Sequence, residues 1–182
     1  MKNWYTADPH FFHQAIIRHC NRPFKSYDEM NDAIMEGLLK HVKPGDNLWM
    51  VGDFAFTKAN QTQIRNLFER IPGQKHLIKG NHDNKRVLGM GWASVADMRT
   101  VKDEGQNFFL CHYPMLTWPA SRYNCLHLFG HVHNNWLGSR RAINVGVDHW
   151  NFEPIDKNAI LERCKDLPTH PLWEENEPGA EK

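Results

Sequence analysis

Several features that would define a class of protein are scarce in this sequence. Its 182 residues contain only four cysteines, at positions 20, 111, 125 and 164, and no Cys-x-x-Cys pair. Such scattered thiols argue against a disulfide framework and favour reduced cysteines in a cytoplasmic protein. No apolar run approaches the length of a membrane span, and polar residues of interest begin at Asp8, which leaves no room for a signal peptide. We therefore expect neither a membrane protein nor a secreted one.

An excess of charge of one sign is also lacking. The formal net charge is +1, so no global field would draw the chain onto duplex nucleic acid or an anionic membrane. A nucleotide-sized substrate is not excluded by this balance. The phosphate-binding pattern Gly-x-x-x-x-Gly-Lys is missing, and residues 89–94 lack the third glycine of a dinucleotide-binding fingerprint. Composition does not define an oligomeric state.

What the sequence does contain is a set of alternating elements sufficient for one domain. With 41% hydrophobic residues, the chain is long enough for one core and too short for two ordinary domains. Apolar patterns predict strands at residues 4–7, 48–51 and 75–79, with helices at residues 26–41 and 60–70. Later strands are expected at residues 108–111, 126–129 and 142–145, and a last helix at residues 156–165. The pattern predicts one α/β domain over residues 1–165 and a loosely ordered tail over residues 166–182.

Five short polar signatures follow these elements, each where a strand should end. They are Asp8-Pro9-His10, Gly52-Asp53, Gly80-Asn81-His82-Asp83, His112, and Gly130-His131-Val132-His133. The carboxyl edge of a sheet is where α/β proteins keep their sites. Carboxylates, an amide oxygen and imidazoles together form a ligand set that can hold a pair of divalent metals.

Each signature alone also has an ordinary structural interpretation. Asp-x-His and Gly-Asp are common in turns, and a pair of surface histidines would explain His131 and His133. A turn accounts for Asn81 and Asp83 but leaves His82 between them unexplained. The ordered set favours a metal site, because otherwise every signature would have to fall at a strand end by coincidence.

In composition and order, these signatures resemble the motifs of the calcineurin-like metallophosphoesterase family, which run Asp-x-His, Gly-Asp, Gly-Asn-His-Asp/Glu, His and Gly-His-x-His. The match spans residues 8–133, and segments 4–13, 22–24, 52–56 and 144–148 resemble a compact bacterial and phage branch of that family. The resemblance implies a layered α-β-β-α sandwich that hydrolyses phosphate esters. The sequence departs from the pattern at Ala7, where serine is usual, and at Phe12, where glycine is common.

The resemblance also implies how two metals would share the ligands. One cation would bind Asp8, His10, Asp53 and His133, and the second would bind Asp53, Asn81, His112 and His131. Asp53 is the bridge in this scheme, since its two oxygens can bind separate cations. Manganese is favoured because oxygen and imidazole ligands suit it, while iron, zinc or nickel fit the same set.

In the family, the histidine after the metal-binding asparagine faces the substrate. By this resemblance His82 is catalytic and assists the leaving group while a metal-activated water attacks phosphorus. Asp83 would also be catalytic, orienting His82 and raising its basicity. Three residues keep two interpretations: His13 would contact the substrate or a ligand, and Asp148 and His149 would line the cleft or form a structural turn.

The expected substrate is a small phosphorylated compound, with a phosphodiester or a small nucleotide favoured. A phosphomonoesterase is one alternative. A single-strand nuclease is another, and its basic groove would use Lys58, Arg65, Arg70, Lys85, Arg86, Arg140 and Arg141. A non-catalytic protein-binding scaffold is disfavoured, because such relatives typically lose ligands that are all present here. Trp118, Trp136 or Trp150 would either stack a base or pack in the core or rim.

Overall fold

The two halves of the fold differ in their secondary structure, as the computed structural model shows for residues 1–170. The first half contains β1 (Asn3–Thr6), α1 (Gln14–His19), α2 (Tyr27–His41), β2 (Asn47–Val51), α3 (Gln61–Arg70), β3 (Gln74–Ile78), α4 (Lys85–Leu88) and β4 (Ser94–Ala96). The second half contains β5 (Met98–Asp103), β6 (Gln106–Cys111), β7 (Cys125–Phe129), β8 (Gly138–Ser139), β9 (Ala142–Asn144) and α5 (Lys157–Asp166). Three 3-10 turns lie among these later elements, at Ser121–Tyr123, His133–Asn135 and Val147–His149.

The strands form two sheets. Strands β1, β2, β3 and β4 lie side by side in that order, and every neighbouring pair is parallel. The second sheet has the order β5-β6-β7-β9-β8 and is mixed, with β6, β7 and β9 parallel and an antiparallel strand at each side. Because parallel strands need crossover connections, the loops that leave their carboxyl ends collect at one edge of each sheet.

The two sheets pack face to face on a shared apolar core. Alternate residues of a strand divide between the two faces of its sheet, so Phe108 joins Tyr5 in the cluster between the sheets, whereas Phe109 belongs to a separate cluster with Trp118. Helix α5 adds Ile160 to the cluster between the sheets. The third cluster is formed by the parallel sheet with α2 and α3, whose buried members are Met30, Ile34, Met35, Leu38, Ile64, Leu67 and Phe68. This layered, mixed α/β domain confirms the predicted fold class.

Local signals start the longer helices at the predicted places. The hydroxyl of Ser26 accepts a hydrogen bond from the backbone N–H of Glu29 at 3.2 Å, so α2 begins directly after the predicted cap. The Glu29 carboxylate accepts from the backbone N–H of Lys25 at 2.8 Å, one residue earlier than in the usual capping box. Asn60 and Asp156 cap α3 and α5 through their side-chain oxygens.

The sequence does not predict α1, α4, β4, β5 or β8. The helices among these have 6 and 4 residues, too few for a helical period to show. Strand β5 lies at a sheet edge with Met98, Arg99 and Thr100 exposed, so it has little apolar alternation. Its pairing with β6 across a hairpin makes it a strand, and composition alone does not reveal that pairing.

The described end of the chain packs against the domain. Helix α5 runs through Asp166, and Leu167 is buried in the cluster between the sheets. The backbone N–H of Arg140 donates to the carbonyl of Pro168 at 2.9 Å. The remainder of the predicted tail, residues 171–182, lies outside the described residues. Across residues 1–170, no helix has both the length and the hydropathy needed to cross a bilayer.

Candidate metal centre

Seven side chains with metal-binding atoms meet at the carboxyl edges of the two sheets. The loops after β1, β2 and β3 carry donors from the parallel sheet, and the loops after β6 and β7 carry donors from the mixed sheet. The structure brings together all seven residues predicted as metal ligands: Asp8, His10, Asp53, Asn81, His112, His131 and His133.

The backbone at five of these residues is left-handed although none of them is glycine. The φ angle is 55° at Asp8, 49° at His10, 57° at Asp53, 70° at His131 and 47° at His133. Each such residue costs on the order of 1–2 kcal/mol, so neighbouring groups must hold it in place. The N–H of His10 donates to Asp53 O at 3.1 Å, and the N–H of His131 donates to the Asp8 carboxylate at 2.9 Å. Backbone strain is therefore concentrated where the donors are aimed.

The first donor group consists of Asp8, His10 and His133. One donor atom from each lies within 4.8 Å of the others. Asp8 Oδ1 and both ring nitrogens of His10 are buried and have no hydrogen-bond partner among the described residues. Leaving such atoms unpaired costs about 1–3 kcal/mol each. A cation would satisfy Asp8 Oδ1 and the one His10 nitrogen that carries no hydrogen. The donor set therefore fits a divalent metal.

The second donor group consists of Asp53, His112 and His131, with Asn81 beside them. His112 Nδ1 lies 2.9 Å from Val51 O, which only accepts, so the hydrogen is on Nδ1 and Nε2 has a lone pair in the neutral ring. That Nε2 faces two further acceptors, Asp53 Oδ2 at 3.4 Å and Asn81 Oδ1 at 3.2 Å. Lone pairs that face one another repel unless a positive charge lies between them, so this group also fits a cation.

Asp53 lies between the two donor groups. Its Oδ2 is 3.5 Å from His10 Nε2 in the first group and 3.4 Å from His112 Nε2 in the second. Its Oδ1 accepts the backbone N–H of His82 at 2.8 Å, which fixes the orientation of the carboxylate. This is the position that the family resemblance assigns to a bridging ligand.

Burial and neighbouring charges shift the pKa values of the donors. Burial raises the pKa of Asp8 to about 6 and lowers the pKa of His10 well below its usual value. At Asp53, burial is outweighed by the hydrogen bond and charge of His112, which bring the pKa to about 2. Burial would lower the pKa of His112, but Asp53 and Asp8 raise it. The centre thus favours positive charge, as a proton in the metal-free protein or as a metal ion when one binds.

A buried ion pair lies behind His133. Asp148 Oδ2 is 3.0 Å from His133 Nδ1, and the same carboxylate accepts from Arg22 Nε at 2.7 Å and Nη2 at 3.0 Å. Burial would raise the pKa of Asp148, but these partners lower it to about 2. His149 Nε2 lies 2.8 Å from His133 O. Asp148 and His149 therefore belong to a 3-10 turn that contacts a metal-ligand candidate from behind.

Asp83 has a different place from the one predicted. Its two carboxylate oxygens accept the backbone N–H groups of Asp53, Phe54 and Gly80 at 2.9, 2.9 and 2.8 Å. With its oxygens used in this way, Asp83 ties together the loops after β2 and β3. The prediction that Asp83 orients the His82 ring is wrong, because its carboxylate binds the backbone of the two loops.

His13 lies beside the first donor group. Its ring centroid is 5.5 Å from that of His10, and its ring stacks on Phe56 at 4.3 Å with an angle of 6° between the planes. His13 Nδ1 is buried and unpartnered within residues 1–170, and burial lowers the pKa of this histidine. The neighbouring Phe12 has a φ of 66°, which explains why similar sequences often have glycine there.

Glycines next to the donors make room for them. A Cβ at Gly80 would lie 2.2 Å from Asp53 Oδ1, and one at Gly130 would lie 2.4 Å from Asp8 Oδ2. Neither glycine has a left-handed φ, so the requirement is close approach.

Sequence reasoning missed the contacts of Arg22 and Tyr113. Arg22 lies in a segment that resembles the family branch, but its partner Asp148 is 126 residues away, and no local pattern connects them. Tyr113 is 45% exposed, and its ring meets those of His112 and His131 edge to face at centroid distances of 5.2 and 4.7 Å. Its position directly after His112 was the available signal.

Two packed sheets with oxygen and imidazole donors at their carboxyl edges define a layered α/β protein with a candidate metal centre. A sequence profile described as calcineurin-like phosphoesterase matches residues 1–182, and the chain belongs to this family. The predicted family and enzyme class are confirmed: the protein is a metal-dependent phosphoesterase. The family implies divalent metal ions, and the two donor groups are candidate ligands for them.

Similar proteins come from an archaeon, a phage and a bacterium. Uncharacterized protein MJ1445 of Methanocaldococcus jannaschii is 29% identical over 167 residues, covering 88% of this chain and 89% of its own. Gene 66 protein of Mycobacterium phage D29 is 26% identical over 197 residues, covering 90% of this chain and 96% of its own. The crystal structure of AQ665 from Aquifex aeolicus, a protein of unknown function, has a TM-score of 0.73 at 28% identity and covers 89% of this chain and 98% of its own.

Substituting Gly80 by alanine tests whether the close approach of Asp53 to this residue requires glycine. The added methyl group would lie 2.2 Å from Asp53 Oδ1 and 2.5 Å from its backbone nitrogen, so we expect the carboxylate to move and the bound metal to be lost. Stability should fall by about 1–3 kcal/mol, as for other overpacked sites. Metal content per chain and urea unfolding measure both effects. Gly45→Ala is the control, since nothing lies within 4 Å of its Cβ; equal behaviour of the two variants would contradict the prediction.

Asp8→Asn should stabilise the metal-free protein at neutral pH while impairing metal binding. The pKa of Asp8 rises from 3.8 to about 6, so the ionised carboxylate opposes folding fully above about pH 6 and not at all below 3.8. At pH 7 the stabilisation should be about 3 kcal/mol. Urea unfolding of EDTA-treated protein at pH 4 and pH 7 measures it. A difference that does not grow with pH would contradict this assignment.

Proposed function

We propose that this chain is a dinuclear-metal-dependent phosphoesterase that favours phosphodiesters or small nucleotides. The position of Asp53 carries the proposal, because its Oδ2 is 3.5 Å from His10 Nε2 and 3.4 Å from His112 Nε2. Two donor groups that share one carboxylate are what a pair of neighbouring cations requires. Phosphomonoesters are the alternative substrates.

The proposed metal ligands are the seven residues at the sheet edges. One cation is assigned to Asp8, His10, Asp53 and His133, and the other to Asp53, Asn81, His112 and His131. Manganese is favoured because these donors are oxygen and imidazole nitrogen, with iron, zinc and nickel as alternatives. When bound, the cations stabilise charge on the phosphoryl oxygens and lower the pKa of a water molecule.

We assign His82 the role of donating a proton to the leaving group. Its side chain is exposed, and its ring centroid is 5.3 Å from that of His10. Its backbone N–H is bound by Asp53 Oδ1 at 2.8 Å, so the loop is fixed while the imidazole faces the site. A histidine suits proton donation to a leaving oxygen because its unperturbed pKa is near neutrality. His13, whose ring centroid is 5.5 Å from that of His10, is assigned to contact a phosphoryl oxygen.

The surroundings of the centre support an organic leaving group. Tyr113 places a half-exposed aromatic ring against His131 at the rim of the site. The tryptophans considered for base stacking are instead held by packing and hydrogen bonds: Trp118, Trp136 and Trp150. Tyr113 is therefore the aromatic residue proposed to contact a base or ester group.

A substrate panel tests the reaction and its alternatives. Metal-depleted protein is reloaded with manganese and assayed on p-nitrophenyl phosphate, bis-p-nitrophenyl phosphate, cyclic dinucleotides and a labelled single-stranded oligonucleotide. We expect the diesters to be hydrolysed faster than the monoester, with activity lost in EDTA and restored by manganese. Faster monoester cleavage would favour a phosphatase, salt-sensitive oligonucleotide cleavage a nuclease, and inactivity on every compound a scaffold.

His82→Ala should separate catalysis from metal binding. We expect kcat to fall by about 10²–10⁴-fold, the usual effect of losing a general acid, with both metals retained. Asp53→Asn should instead lose metal, because the charge between the two donor groups is removed. Metal analysis and steady-state kinetics measure both, with the exposed His19→Ala as control. Loss of bound metal in His82→Ala would contradict the assignment of His82. Near-normal metal content and kcat in Asp53→Asn would contradict the assignment of Asp53.

The cytoplasmic compartment stays a prediction. All four cysteines are buried and free in the structure, at positions 20, 111, 125 and 164. Buried reduced thiols are consistent with a reducing compartment.

A further inference from the structure

Arg22 and Asp148 form an ion pair that is withdrawn from solvent. Their side chains are 0% and 1% exposed, and two nitrogens of the guanidinium meet both oxygens of the carboxylate, at 2.7 and 3.0 Å. A buried ion pair is often no more stabilising than apolar side chains of the same size. Stabilisation of the fold alone therefore does not explain why this buried pair is present.

Asp148 determines which nitrogen His133 offers to the site. Asp148 Oδ2 lies 3.0 Å from His133 Nδ1, and an ionised carboxylate only accepts hydrogen bonds, so Nδ1 carries the hydrogen. His133 Nε2 is then the nitrogen available to a cation. The backbone of His133 is held as well, since its carbonyl accepts from Asn144 Nδ2 at 3.1 Å and lies 2.8 Å from His149 Nε2.

Arg22 holds the loop that carries the other two donors of the same group. Its Nη2 donates to Asp8 O at 2.8 Å, and its Nη1 donates to Pro9 O at 3.0 Å. These carbonyls belong to the turn in which Asp8 and His10 have left-handed backbones, with φ angles of 55° and 49°. One guanidinium therefore fixes a strained turn and, through Asp148, the orientation of an imidazole.

The second donor group is supported by different residues. His112 Nδ1 is bound by Val51 O at 2.9 Å, and the loop of Asp53 is bound by the Asp83 carboxylate at 2.9 Å. Asp53 lies near both donor groups, but the hydrogen bonds of the ion pair to the donor residues all go to the first group, at the side chain of His133 and the carbonyl of Asp8. The two groups are joined by the hydrogen bonds between His10 and Asp53 and between His131 and Asp8, but the ion pair supports the first group alone.

We propose that Arg22 and Asp148 are positioning residues for the metal held by Asp8, His10 and His133, and that they leave the other metal's affinity unchanged. This inference rests on the proposed two-metal function. It also gives a role to segments 22–24 and 144–148, which the metal ligands alone do not explain. Losing a partner of this kind typically weakens metal binding by about 10–100-fold.

Titration of the metal-free protein with Mn²⁺ tests the proposal. In wild type we expect two cations per chain. In Asp148→Asn, which keeps the shape of the side chain, we expect one dissociation constant to stay unchanged and the other to rise by about 10–100-fold. Arg22→Lys keeps the positive charge but loses the bidentate geometry, and it should weaken the same site. Asp32→Asn and Arg18→Lys are the matched controls, since both residues are exposed on helices.

Double variants show which site is affected and through which residue. Adding Asp148→Asn to His133→Ala should cause little further loss, because Asp148 acts through that imidazole. Adding His131→Ala to Asp148→Asn should weaken the remaining tight site as well. Equal weakening of both sites by Asp148→Asn, no weakening, or additive losses with His133→Ala would overturn the proposal.

The same titration separates this inference from the proposed function. A wild-type protein that binds fewer than two cations would overturn both. Two cations in wild type without the selective loss in Asp148→Asn would overturn only the positioning role. Thermal unfolding of each variant accompanies the titrations. Failure of both Asp148→Asn and Arg22→Lys to fold would assign the pair to folding alone and would also overturn the inference.

Discussion

The fold holds together atoms that repel one another unless a cation lies between them. Asp8 Oδ1 and both nitrogens of His10 are buried without partners, and His112 Nε2 faces the oxygens of Asp53 and Asn81. In the metal-free protein, a proton on an imidazole such as His112 is the positive charge that the described residues can place among these lone pairs. Packing in the core between the sheets must therefore stabilise the fold enough to keep these donor atoms at one edge. Metal binding then stabilises the folded protein further.

The unusual backbone follows from this constraint. A donor directly after a strand reaches the sheet edge only if the chain turns at once, and left-handed residues such as Asp8 and Asp53, with φ angles of 55° and 57°, provide that turn. The carboxylates then approach the opposite loop so closely that Gly80 and Gly130 have no space for a Cβ. The left-handed backbone at Asp8 and Asp53 and the missing side chains at Gly80 and Gly130 therefore have the same effect. Both allow the acceptor atoms to lie close together.

Much of this arrangement follows from local sequence. The strands that carry the donors were predictable because buried runs end at polar signatures, and α2 began where Ser26 predicts it. Asp83 was misassigned because its neighbour His82 suggested a side-chain contact, whereas its oxygens bind the backbone of the loops after β2 and β3. The role of Arg22 could not be predicted, because its partner lies 126 residues away and only the packed sheets bring them together.

The supports of the two donor groups differ in how much of the chain they require. Contacts around His112 and Asp53 come from Val51 and Asp83, at the ends of neighbouring strands. Contacts around Asp8 and His133 come from Arg22 and Asp148, which join the first loop of the chain to the 3-10 turn after β9. The group at Asp8 and His133 is therefore complete only when both sheets and that turn are in place. The group at Asp53 and His112 needs both sheets as well, since His112 follows β6 and is bound by Val51 of β2. The 3-10 turn contacts only the group at Asp8 and His133, so local opening of that turn would disturb this group first.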